Sequence, residues 1–94
     1  MNLRLVALAL FLGAGIACGE PQADAERWQR LGLTRHLRNK YAEAIPAFRE
    51  AVRLNPSLWT SHLFLGICLY RTNQFDEAIT SIERADRVAP ANNP

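Results

Sequence analysis

An internal repeat constrains the fold of this chain more than any other feature. Residues 25–56 align without a gap with residues 59–90, and nine of the 32 aligned positions carry the same amino acid. The shared positions include the pairs Leu31-Gly32 and Leu65-Gly66, together with a closing proline in each copy. Self-similarity at a fixed period is typical of tandem structural repeats. We therefore expect two copies of one structural unit.

Each copy has the hydrophobic spacing of two helices joined by a short turn. In the first copy, apolar residues follow a 3.6-residue period up to Arg38 and again over 41–54. Asp24 is a candidate N-cap for the first helix, and the proline in Asn55-Pro56 should end the second. Pro46 lies inside the second helix, near its start, where the lost amide costs least, so it predicts a modest bend without a break.

The second copy predicts the same pair of helices. Ser57 is a candidate cap for a helix over 58–71, the segment 72–74 should form the turn, and a last helix should cover 75–88. Acidic residues lie in the first turn of that helix and arginines near its end, which suits the helix dipole. The chain therefore predicts four helices in two hairpins.

The residues at matching positions resemble the tetratricopeptide repeat, a helix-turn-helix unit of about 34 residues. The resemblance covers residues 25–92 and implies an all-α fold, in which two tandem hairpins form a short right-handed α-solenoid segment. The second copy departs from the pattern at His62, where a large aromatic is expected, and at Ile82. The positions of the first copy that carry the resemblance are Trp28, Leu31, Gly32, Tyr41, Ala44, Phe48, Ala51 and Pro56.

This resemblance gives provisional boundaries along the chain. They are a leader over 1–19, a short tether over 20–24, a first repeat over 25–58, a second repeat over 59–92, and a tail or start of another repeat at 93–94.

The resemblance also implies a binding surface, because the first helix of each repeat lines a concave wall in this family. The matching positions here are Gln29, Leu33, His36, Leu63, Ile67 and Tyr70. Such a wall suits a peptide or protein segment with apolar anchors. A variant of the family grips a terminal carboxylate with a basic residue and an asparagine, but this chain has Gln29 and Leu33 at those positions. Tyr70 is the strongest candidate for a contact because it joins an aromatic ring to a polar tip.

A second feature points to assembly. The last helix carries Ile79, Ile82 and Val88, and repeat arrays generally need about three units to bury their apolar faces. Three alternatives follow: self-association through that end, a partner that covers it, or a sequence that is part of a longer array.

The composition speaks against several other classes of function. The formal net charge is +2, with 11 basic and 9 acidic residues that mostly alternate, so a role in binding nucleic acid has no support. The two cysteines and two histidines show no metal-ligand spacing, and no phosphate-binding glycine loop is present. We expect no enzyme activity, no metal and no cofactor.

Residues 1–19 have the layout of an export signal. Arg4 precedes an unbroken apolar run of about 14 residues that ends at Cys18, which is short for a membrane span. The run and the cysteine resemble the lipobox of bacterial lipoproteins, although Gly15 stands where leucine is usual. Lipidation at Cys18 would tether the chain in the bacterial envelope. Simple cleavage, giving a periplasmic or secreted protein, and an uncleaved membrane tether are the alternatives.

Overall fold

A computed structural model describes residues 21–90 of the chain, and over those residues it is built from α-helices. The helices are α1 (Pro21–Leu37), α2 (Tyr41–Leu54), α3 (Trp59–Arg71) and α4 (Phe75–Val88). None of these four is long and apolar enough to cross a membrane. The prediction of an all-α fold with two helical hairpins is confirmed, and the bounds of α2 and α4 are those that the sequence predicts.

The helices pack mainly against their neighbours in the chain. α1 packs on α2 and α3 on α4, while α2 and α3 form the junction between the two hairpins. This order of contacts is that of a solenoid, in which stability is largely a sum over neighbouring interfaces.

The turn within each hairpin is the same in both repeats. Asn39 and Asn73 have backbone φ angles of 60° and 67°, in the left-handed region that asparagine tolerates better than most residues. After each asparagine, a backbone amide reaches back to the preceding helix: Lys40 donates to the Arg35 carbonyl at 2.9 Å and Gln74 to the Leu69 carbonyl at 2.8 Å. The asparagines shared by the two repeats therefore reverse the chain.

Phe48 of α2 lies at the centre of the buried core. Its side chain is fully buried, and its ring stacks on that of Phe64 in α3 with centroids 6.0 Å apart. A hypothetical Cβ on Gly32 of α1 would lie only 2.7–2.8 Å from three atoms of the Phe48 ring. The glycine thus lets α1 approach α2 closely. The buried residues of this core cluster are Ala44, Ile45, Phe48, Leu65, Cys68, Leu69 and Ala78.

The first helix begins earlier than the sequence predicts. α1 starts at Pro21, so residues 21–24, which were expected to form a short tether before the helix, are helical, and Asp24 is not the N-cap. Proline is well suited to the first position of a helix because its missing amide would have no partner there. The early turn is also held by a hydrogen bond from the Asn55 side chain to Gln22. Residue 20 and the leader lie outside the described residues.

The start of α3 also differs from the prediction. Ser57 does not cap this helix, which begins at Trp59 with Leu58 as its N-cap and no side-chain cap hydrogen bond. Instead the Ser57 amide donates to the Asn55 side-chain oxygen at 3.0 Å. Asparagine forms such local bonds readily, so it sets the turn before the helix.

α2 continues through Pro46 without interruption, as predicted. Pro46 is exposed, so its ring displaces no neighbouring helix. The predicted bend stays a prediction.

Candidate protein-binding surface

The three candidate residues of α1 lie on the side of the helix that faces α3. Gln29 accepts a hydrogen bond of 2.7 Å from the buried Ser61 hydroxyl, so its amide oxygen joins the two helices. Leu33 is half-buried and packs against the core cluster. Both residues therefore contribute to the contact between the first helices of the two repeats.

His36 is enclosed by groups from two other helices. Its ring meets those of Tyr41 and Phe64 edge-on, with centroids 5.4 and 5.0 Å apart. Its Nδ1 lies 3.7 Å from the Cys68 sulfur, within reach of a weak hydrogen bond from the thiol. His36 thus has a packing role at the junction of the repeats.

The three candidate residues of α3 have a different environment. Leu63 is half-buried beside a shallow depression of about 190 Å³ that also includes Ile82 of α4. Ile67 is half-buried as well. Tyr70 is 61% exposed and makes an edge-on contact with the Phe75 ring, with centroids 5.4 Å apart. Of the six candidates, Tyr70 has the largest exposed fraction.

The six residues therefore divide into two groups. Gln29, Leu33 and His36 fill the contact between α1 and α3, and their equivalents in the second repeat are Leu63, Ile67 and Tyr70. The second group thus occupies on α3 the positions that the first group occupies on α1. Within the second group Tyr70 is exposed, whereas Leu63 and Ile67 are half-buried.

Cys68 is shielded from the surface by the same packing. It is fully buried, and loss of hydration raises the pKa of its thiol to about 11. Since the thiolate is the reactive form, this cysteine has the properties of an inert core residue.

We predict slow alkylation of Cys68 in the folded protein. In a Cys18→Ser background at pH 8, iodoacetamide should label it at least about 100-fold more slowly than after unfolding in urea, because a pKa of about 11 against an ordinary value of 9.0 leaves far less thiolate. The raised pKa also favours folding below the unfolded pKa, and this contribution should be lost as the pH rises toward 11. Mass spectrometry measures the labelling; equal rates in both states would contradict the burial.

A basic cavity lies between α2 and α4, and no sequence pattern pointed to it. It has a volume of about 440 Å³, and its lining consists of Arg49, Val52, Arg53, Pro56, His62, Arg84, Arg87 and Val88. Two of the arginines are paired: Arg49 with Glu77 at 2.5 Å and Arg53 with Glu50 at 2.5 Å. The hydrogen bond from Arg53 lowers the pKa of Glu50. Alternating Glu and Arg residues predict only a solvated helix face, which is why sequence reasoning missed the cavity.

His62 occupies the position where an aromatic residue was expected. It is buried, its Nε2 lies 2.9 Å from the Pro56 carbonyl oxygen, and its Nδ1 has no hydrogen-bond partner among the described residues. The carbonyl makes Nε2 the donor in the neutral ring. The histidine thus ties α3 to the end of the first repeat. Within residues 21–90, no three His, Cys, Asp or Glu side chains are grouped so that they could hold a metal ion.

Comparison with known families gives one finding. A family model described as tetratricopeptide repeat matches residues 38–93, which is more than half of the chain. The match includes the second helix of the first predicted repeat and the whole of the second repeat. The chain matches no curated protein.

Proposed function

The chain belongs to the tetratricopeptide repeat family, and on that basis we propose that it is a non-catalytic module that holds a peptide or protein segment against α3. The family is an interaction fold, so protein binding is its general activity. The finer proposal concerns the face that binds and the place where the protein acts.

The exposure of Tyr70 is the observation that supports the proposed binding face. It is the most exposed of the six candidate residues, and it lies one helical turn from Ile67 and two from Leu63. A tyrosine offers a large apolar area with a hydroxyl at its tip, which suits a partially wet surface. A bound segment would place apolar side chains beside Leu63 and Ile67 and a polar group near the Tyr70 hydroxyl.

Gln29, Leu33 and His36 have a supporting role in this proposal. Their contacts with Ser61, the core and Cys68 fix the position of α3 relative to α1. A binding helix on a rigid support loses less conformational entropy when a partner arrives. Substitutions at these three positions should therefore reduce stability as well as binding.

A pull-down tests the binding face. Purified protein with Leu63→Glu or Tyr70→Ala should recover the partner poorly, because each change removes an apolar contact and the introduced glutamate would also bring a charge. Thr80→Ala is the matched control, since Thr80 is exposed on α4 and its hydroxyl bonds only to the Asp76 carbonyl among the described residues. Circular dichroism should show the same helix content in all variants. Unchanged recovery with both α3 variants would reject this face.

We further propose that the module is exported to the bacterial envelope and tethered there by lipidation at Cys18, with simple cleavage and release as the alternative. The support is the sequence of residues 1–19, which lie outside the described part of the chain. Labelling of cells with a fatty-acid analogue should mark the wild type and not Cys18→Ser. Equal labelling of the two proteins would contradict lipidation at this residue.

A further inference from the structure

Apolar residues on α4 are exposed although their counterparts in the first repeat are buried. Ile79 and Ile82 are 57% and 42% exposed, whereas the equivalent residues of α2, Ile45 and Phe48, are 6% and 0% exposed. In α2 that face is covered by the second repeat. On α4 the same face is open in the described structure, and we call it the tail face, defined by Ile79, Ile82, Glu83 and Asp86.

α1 shows the complementary situation. Trp28 and Leu31 are 39% and 37% exposed, whereas their counterparts His62 and Leu65 on α3 are 6% and 5% exposed. We call this surface the head face, defined by Arg27, Trp28, Arg30 and Leu31. The described part of the molecule thus has two open surfaces that correspond to the two sides of its own internal junction.

The internal junction shows how two such faces pack. Phe48 of α2 stacks on Phe64 of α3, and Leu65 lies in the same buried cluster as Ile45 and Phe48. In the proposed contact, each residue of α2 is replaced by its equivalent on α4, and each residue of α3 by its equivalent on α1 of a second copy. Each contact of the internal junction then becomes a contact between two molecules. The contact of Phe48 with Phe64 becomes one between Ile82 and Arg30 of a second copy.

The two faces carry an excess of opposite charge. Glu83 and Asp86 border a depression that also contains Ile82 and one cation, Arg87, and neither carboxylate has an ion-pair partner within residues 21–90. The head face carries Arg27 and Arg30, at positions where the second repeat has Ser61 and Phe64. Arg27 already bonds Asp24 at 3.3 Å, which leaves Arg30 as the principal cation of the head face. Such complementarity favours encounter and fixes register.

One pair of charges works against this arrangement. At the internal junction Arg49 pairs with Glu77, and the equivalent pair between molecules is Glu83 with Glu43. Glu83 and Glu43 are both exposed, and Lys40 lies 4.0 Å from Glu43. A single exposed pair of like charges has a small effect, so burial of the apolar residues should decide the outcome.

We propose that the chain associates head to tail with further copies of itself, the head face of one molecule packing on the tail face of the next. This proposal selects self-association among the alternatives for the exposed last helix. The same shift places Leu63 opposite Arg27 and Tyr70 opposite Arg30 of the next copy, so a second copy and a bound segment would compete for this part of α3. Because two different surfaces meet, each added copy leaves one head and one tail open. The assembly therefore grows in steps of one molecule and does not stop at a dimer.

Sedimentation velocity on the full chain tests the proposal with two singly blocked variants. Leu31→Glu blocks the head face and Ile82→Glu blocks the tail face, each by a charge at an exposed position. The wild type should grow in mass with concentration beyond the dimer, and each variant alone should stay monomeric. An equimolar mixture should reach twice the monomer mass and stop, since one intact head and one intact tail remain. Thr80→Glu, which adds the same charge elsewhere on α4, should behave as the wild type.

Several outcomes would overturn the proposal. A wild type that is monomeric at all concentrations has no such contact. Dimers of Leu31→Glu alone would indicate a symmetric contact between two tail faces. Association that persists in both variants would place the contact elsewhere, including in residues 1–20. Urea unfolding of each variant guards against loss of fold.

Discussion

Replacing Phe48 with alanine should lower the free energy of unfolding by about 3–5 kcal/mol, the range for removal of a fully buried phenylalanine. The ring is fully buried, stacks on Phe64 and is in close contact with Gly32. Its loss would leave a cavity where α1, α2 and α3 meet. A domain of this size has about 5 kcal/mol of stability in total, so little folded protein should remain.

Ile82→Ala is the matched control, because Ile82 occupies the equivalent position in the second repeat and is 42% exposed. Removal of a half-exposed side chain should cost about 1 kcal/mol or less. Urea unfolding followed by circular dichroism measures both variants, at a concentration at which the protein is monomeric. Equal losses of unfolding free energy would show that the two repeats bury this position to the same extent, which would contradict the structure.

Gly32→Ala should be the second most damaging change. A Cβ at this position would lie 2.7–2.8 Å from the Phe48 ring, which has no room to move because it is fully buried. Overpacking of this kind costs about 1–3 kcal/mol, which exceeds the gain of about 1 kcal/mol from replacing glycine by alanine inside a helix. Gly32→Ala should therefore be destabilising overall.

Gly66→Ala provides the comparison within the same chain. Its Cβ would lie 2.5 Å from Cγ1 of Ile82, so this side chain must shift, but Ile82 is half-exposed and a shift would lose less packing than one of the fully buried Phe48. A contact of 3.1 Å with the Ala78 carbonyl oxygen limits the gain. The free energy of unfolding should change by about 1 kcal/mol or less in either direction. A larger loss for Gly66→Ala than for Gly32→Ala would contradict the described packing.

The helices could be predicted where local chemistry determines them. α2 and α4 follow turns made by Asn39 and Asn73, and each ends close to a proline, so their bounds agree with the prediction. The start of α1 could not be predicted, because Pro21 is compatible with a tether and with a first helical turn. The helical start at Pro21 is supported by a hydrogen bond between Gln22 and Asn55, which are distant in sequence, so the local sequence does not predict it.

The sequence could place the candidate residues on their helices but could not predict their environment, and their role in binding stays a prediction. The repeat spacing selects Gln29 and His36 as wall residues, yet their contacts with Ser61 and Cys68 depend on how two helices pack. The exposure of Tyr70 likewise depends on what lies beside α3. Sequence periodicity identifies a face of a helix, but it does not show which part of that face a neighbouring helix covers.

The central claim is that a separate protein binds at α3 around Tyr70, and photo-crosslinking in cells tests it most directly. A photoreactive phenylalanine analogue at position 70 keeps an aromatic ring in place, and the same analogue at position 80 on α4 is the control. The account predicts a covalent adduct to another protein from position 70 and none from position 80. No adduct from position 70, or equal adducts from both positions, would contradict it.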